Sequence, residues 1–173
     1  MPNRPPIVTV IVFLILAAAT ISGAWGFQLI GGYIPCKLCL EQRDPYYIAL
    51  PMAALALAGL VFSWPRPVCA VLLLAAGGAM AYGAGLGVYQ SGAEWGFWTG
   101  PTDCGDGSGA GPASVTDLMS QLKTARIVSC TEASWRLFGL SFAGWNAVAS
   151  TALTVIAWLA ALQMVRRESP QTV

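Results

Sequence analysis

The chain has 173 residues, of which 56% are hydrophobic and 10% charged, with a formal net charge of +1 and a mean hydropathy of +0.63. Soluble domains carry about 25% charged residues, so the composition excludes an ordinary soluble domain and points to an integral membrane protein. No Lys/Arg-rich tract is present to hold nucleic acid. The chain has five cysteines and no histidine, which removes the usual general base and the commonest metal ligand and leaves thiol–disulfide chemistry, an all-cysteine metal site or structural bridges.

Four uncharged runs follow in chain order. Ile7 to Gly26 spans twenty residues, long enough to cross a hydrocarbon core of about 30 Å. A cleaved signal peptide is the rival reading, because Ala17-Ala18-Ala19 offers small residues for cleavage. Its apolar run is too long for that, and more spans follow. Tyr46 to Trp64 is the second run, closed by the break Pro65-Arg66-Pro67. Val68 to Tyr89 is the third, and its glycines Gly77, Gly78, Gly83, Gly85 and Gly87 predict a buried packing face. Ala143 to Val165 is the fourth, followed by Arg166-Arg167. The expected architecture is an all-α membrane protein, a single domain over 1–173 with spans at about 7–26, 46–64, 68–89 and 143–165.

Four spans put both termini on one side. Arg4, Arg66 and Arg166-Arg167 lie in short segments on that side, so it reads as cytoplasmic. The segments 27–45 and 90–142 are then extracytoplasmic, with Cys36, Cys39, Cys104 and Cys130 in an environment where disulfides persist. Cys69 reads as a small apolar filler at the start of the third span.

In the long segment, Val115, Leu118, Met119 and Leu122 recur at helical spacing after Ser114-Val115-Thr116-Asp117. They predict a short amphipathic helix, lying on the membrane surface or packed on the loop itself. Trp95, Phe97, Trp98, Trp135, Phe138, Phe142 and Trp145 read as interfacial anchors, one or two of which could line a pocket for an aromatic ligand. If Cys104 and Cys130 pair, the bridge is either a structural staple or reversible. The glycine-rich stretch after Cys104 favours reversibility, since a mobile cysteine can be attacked and can travel.

The chemistry centres on Pro35-Cys36-Lys37-Leu38-Cys39-Leu40-Glu41-Gln42-Arg43. Pro35 suits the first helical position, which places Cys36 and Cys39 in a first helical turn, about one small adjustment from disulfide distance. A helix N-terminus favours the thiolate, the nucleophile of disulfide exchange. Arg43 follows Cys39 at i+4 and either pairs with a thiolate or anionic acceptor or snorkels to headgroups. Asp44-Pro45 either restarts the second span, as N-cap and first residue, or kinks one continuous helix. A metal site needs four convergent ligands, and here one cysteine pair is membrane-embedded while the other is split by twenty-five residues, so no metal is expected.

These residues resemble the DsbB family, the quinone-coupled membrane disulfide oxidoreductases of bacteria. The likeness covers four spans, the P-C-x-L-C-x-x-Q-R run from Pro35 to Arg43, Cys104 in G-P-x-x-C, and C-x-x-x-x-W-x-x-x-G-L from Cys130 to Leu140. The resemblance implies an inner-membrane enzyme whose Cys104–Cys130 bridge oxidises a soluble thioredoxin-like partner of the DsbA type, with Cys104 as the sulfur attacked. It implies that Cys36 and Cys39 reoxidise that bridge and pass electrons to ubiquinone or menaquinone, with Cys39 nearest the quinone and Arg43 assisting its binding. Some relatives carry a histidine near the outer end of the third span. This chain has none, and Gln90, Tyr89 or water would have to supply the contact. Two rival functions remain: a membrane conduit for reducing equivalents, and a non-enzymatic scaffold with two structural disulfides.

Overall fold

The computed structural model describes residues 4–100, 126–127, 133 and 135–165. Four helices among them are long and apolar enough to cross a membrane. The first, α1 (Arg4–Leu29), carries Pro5 and Pro6 in its first turn, where a missing N–H costs nothing. It ends at Gly31-Gly32, where Gly32 takes φ +69°, a conformation open to glycine without steric cost. The turn leads into β1 (Tyr33–Ile34).

Cys36 caps the short helix α2 (Lys37–Glu41), its sulfur accepting a hydrogen bond from the Cys39 N–H at 3.3 Å. Helix α3 (Asp44–Val61) follows. The alternatives at Asp44-Pro45 are thereby decided for a restart, with Arg43 rather than Asp44 at the N-cap position. Pro45 has no N–H, so the intrahelical ladder is interrupted there and the chain turns through Gln42 and Arg43 before continuing. Helix α4 (Arg66–Glu94) opens on Pro67 and runs on past residue 89, where the sequence suggested it would stop. This extension carries Gln90 and Glu94 on helix rather than in the loop. The strand β2 (Arg126–Ile127) pairs in parallel with β1, Tyr33 opposite Arg126 and Ile34 opposite Ile127. A small hairpin of β3 (Arg136–Leu137) and β4 (Leu140–Ser141), turning at Gly139 with φ +83°, leads into α5 (Phe142–Val165). The expected amphipathic helix near 114–123 lies outside the described residues, as do Cys104 and Cys130.

The helices pack in the cyclic order α1, α3, α4, α5 and back to α1, with the closest association between α4 and α5. Outward side chains such as Ile15, Val71 and Val155 are exposed, as lipid-facing positions should be. Inside, Val10, Phe13, Ala53, Leu73, Met80, Leu153 and Met164 are buried in one cluster. Between helices in lipid the gain comes from close packing more than from removing apolar surface from water. The glycines of α4 divide accordingly. A Cβ on Gly87 would stand 2.9 Å from the Ala147 backbone nitrogen, on Gly83 it would press on Pro45, and on Gly77 it would strike Trp158. Gly78 and Gly85 face open space, so only part of the expected packing face is used.

Candidate active site

The start of α2 and the turn into α3 gather the C-x-x-C pair and Arg43 at one end of the bundle. Cys36 Sγ and Cys39 Sγ stand 2.9 Å apart, close enough to exchange between dithiol and disulfide with a small adjustment. Cys36 is buried at 7% exposure, while Cys39 is half-buried and borders a cavity. The capping geometry thus gives the two sulfurs different access from a single helical turn.

The cavity has a volume of about 370 Å³ and lies between α1, the start of α3 and the start of α5, within the size range of small-molecule sites. Cys39, Gln42 and Arg43 form its polar wall, and Phe27, Tyr33 and Phe142 supply aromatic rings. Along α1 the lining runs from Gln28 down to Ala19, about 13 Å of helix. Ala19 and Gly23 on this wall are exposed, so the cavity is not closed off along α1. Phe27 and Phe142 meet edge to face at 4.9 Å, and Trp135 stacks on Phe142 at 4.9 Å. Of the aromatic residues expected at the interface, Phe142 and Trp145 line the cavity. Trp98 instead stacks on Tyr89 and donates to its carbonyl at 2.9 Å.

Arg43 is 9% exposed and does not snorkel. Its Nη1 donates to Gln28 Oε1 at 2.6 Å, and its guanidinium carbon lies 5.3 Å from the centre of the Trp25 ring. A planar cation fixed by an amide and an aromatic face is thereby presented to the cavity.

Gln90 occupies a different place from the one expected of a cavity residue. It reaches the sulfurs from α4 and does not itself line the cavity. Its Nε2 lies 3.5 Å from Cys39 Sγ and 3.9 Å from Cys36 Sγ. Cys69, by contrast, is fully buried against Gly59 and Trp64 near the other end of the bundle, consistent with packing alone. Sequence reasoning missed Gln28, Gln42, Glu94 and Asn146. The signal available was their polarity within or beside apolar runs, since polar groups at membrane depth are costly and retained for a reason.

The profile of the family described as disulfide bond formation protein DsbB matches residues 6–160. No curated protein and no solved structure matches the chain. With four apolar helices and a cysteine pair at a helix start, the chain belongs to the DsbB family of membrane disulfide-bond-forming oxidoreductases.

Proposed function

We propose that this protein reoxidises an extracytoplasmic thioredoxin-like dithiol protein of the DsbA type and passes the electrons to a membrane quinone. The observation that carries the reading is the placement of Cys39 and Arg43 on one largely apolar cavity. A quinone head is a flat apolar ring with carbonyl acceptors, attached to an apolar tail. The aromatic rings of Phe27, Tyr33 and Phe142, the donors of Arg43 and the small residues Ala19 and Gly23 fit those three parts in turn. When bound, quinone would supply a two-electron, two-proton acceptor. Ubiquinone and menaquinone both meet this description.

In the proposed cycle a partner thiolate attacks the Cys104–Cys130 disulfide at Cys104, giving a mixed disulfide. The second partner thiol resolves it, so the partner leaves oxidised and the loop pair is left reduced. The loop pair then exchanges with a Cys36–Cys39 disulfide, regaining its own bridge and leaving Cys36 and Cys39 as the dithiol. Oxidation of that dithiol back to the disulfide releases two electrons and two protons to the acceptor. The β1–β2 pairing supports this route: it joins the segment two residues before Cys36 to the segment three residues before Cys130. Cys36 is then the sulfur that meets the loop, and Cys39 the one that faces the cavity. Arg43, on the cavity wall, would hold such an acceptor by donating a hydrogen bond to it. The arginines of the short connecting segments support an orientation with both termini in the cytoplasm.

The test is oxidation of a reduced thioredoxin-like protein by the purified chain with added quinone. Turnover should depend on ubiquinone or menaquinone. No turnover with either would overturn the proposal.

A further inference from the structure

Cys39 has a second face, toward the interior of the bundle, where Gln90 is 1% exposed. Besides the sulfurs, Gln90 Nε2 meets Glu94 Oε1 at 3.4 Å. Its Oε1 accepts from Gln42 Nε2 at 2.5 Å and stands farther from Cys39 Sγ, at 3.9 Å. Gln42 Oε1 in turn accepts from Asn146 Nδ2 at 2.7 Å. Asn146 Oδ1 accepts from the Tyr46 hydroxyl at 2.9 Å, and that hydroxyl is 3.1 Å from Ser150 Oγ. The chain of bonds crosses from α5, through the turn between α2 and α3, to α4, and it ends at the dithiol.

Such a chain has a direction. Each amide accepts with its oxygen and donates with its nitrogen, so reversing one member requires reversing all three. Glu94 selects between the two directions. Its Oε1 accepts from the Gln90 nitrogen, and the carboxylate form, which only accepts, would repel the Gln90 oxygen. Reversal would also aim the Gln90 oxygen at the sulfurs, placing lone pairs against a thiolate.

We propose that Gln42 and Asn146 are positioning residues that lock the Gln90 amide with its nitrogen toward Cys39, so that Gln90 holds the Cys39 thiolate ready to give up electrons. A half-buried thiolate has lost part of its water and needs fixed donors in exchange. Gln90 supplies them without adding a charge. Among the described residues, the charged and titratable groups around Cys39 are Cys36 in the same turn, Glu94 from α4, Arg43 held by Gln28 and Trp25, Tyr33 on the same cavity and Tyr46 at the far end of the chain. The proposal rests on the reading of Cys39 as the sulfur that delivers electrons, but not on the identity of the acceptor.

The test is the rate of iodoacetamide alkylation of Cys39 in the fully reduced full-length protein, without quinone or partner, assigned by mass spectrometry across pH. Gln90→Met should slow Cys39 at neutral pH by about tenfold, the scale of one hydrogen bond to a charged group. The native rate should return at alkaline pH, where the thiol ionises unaided. Asn146→Leu should slow it by roughly threefold, because the donor remains but is no longer fixed. The double variant should be no slower than Gln90→Met alone, since Asn146 acts through Gln90. Equal slowing at every pH would mean altered access, and multiplied losses would mean independent action; either result overturns the proposal, as does an unchanged neutral rate. If Asn146→Leu fails to accumulate, Gln42→Met breaks the same chain and is read in the same way. A native chain that shows this pattern yet never reduces a quinone would overturn the proposed function and leave the thiolate lock standing.

Discussion

At the end of the bundle nearest the termini, Val10, Phe13, Leu73 and Met164 belong to one buried apolar cluster, and the polar pair beside it, Thr9 and Gln163, is only partly buried. At the end that carries the C-x-x-C pair, Gln42, Tyr46, Gln90, Asn146 and Ser150 occupy the interior and bond to one another. The first arrangement asks only for close packing, which many apolar combinations satisfy. The second asks for every donor and acceptor to be matched, because an unpaired polar group in a low-dielectric interior is costly. The difference teaches where the molecule holds its helices together and where it holds two sulfurs and a cation in place. Stability and chemistry are separated along the bundle axis.

The separation can be tested from both ends. The larger effect on chemistry is expected at Arg43. Arg43→Met keeps a long apolar side chain but removes every donor, and it should raise the KM for quinone by about tenfold or more, measured by steady-state quinone reduction. An unchanged KM would remove Arg43 from the quinone site. The smaller effect on chemistry, in fact none, is expected at the other end. Leu73→Ala should cost about 2 kcal/mol of stability, near the low end for such truncations because transfer from water contributes little in lipid. Thermal unfolding in detergent measures the loss, and turnover per folded molecule should match the native chain. Slower turnover without lost stability would show that the two ends are not separate.

The spans were legible because runs such as Ile7 to Gly26 hold no charge, a signal that needs no partner to interpret. The start of α2 was legible only to within two residues: Pro35 suits a first helical position, but the helix begins at Lys37 with Cys36 as its cap, so Pro35 lies outside it. The end of α4 was not. An apolar run stops at Tyr89, but the helix continues to Glu94, because backbone hydrogen bonding does not require apolar side chains once the helix is under way. Gln90 and Glu94 were therefore placed in a loop, where the direction of their side chains could not be read. Asn146 was invisible for another reason. It bonds to Gln42 across 104 positions of sequence, and no local pattern reports a partner that distant. Arg43 stood between an ion partner and a headgroup anchor on spacing alone, and its burial beside Gln28 and Trp25 decides against the anchor. Gly78 and Gly85 show the opposite error: composition counted them with Gly83 and Gly87, although the helical phase turns them outward.

The central claim is that electrons leave this protein from Cys39 to a quinone in the adjoining cavity. It is tested most directly in a single turnover, by mixing the fully reduced chain with quinone and following quinone absorbance alongside the redox state of Cys36 and Cys39. The account predicts quinol formed in stoichiometric amount with a Cys36–Cys39 disulfide, and none from Cys39→Ser. Quinol formation undiminished in Cys39→Ser, or absent from the native chain with both ubiquinone and menaquinone, would contradict it.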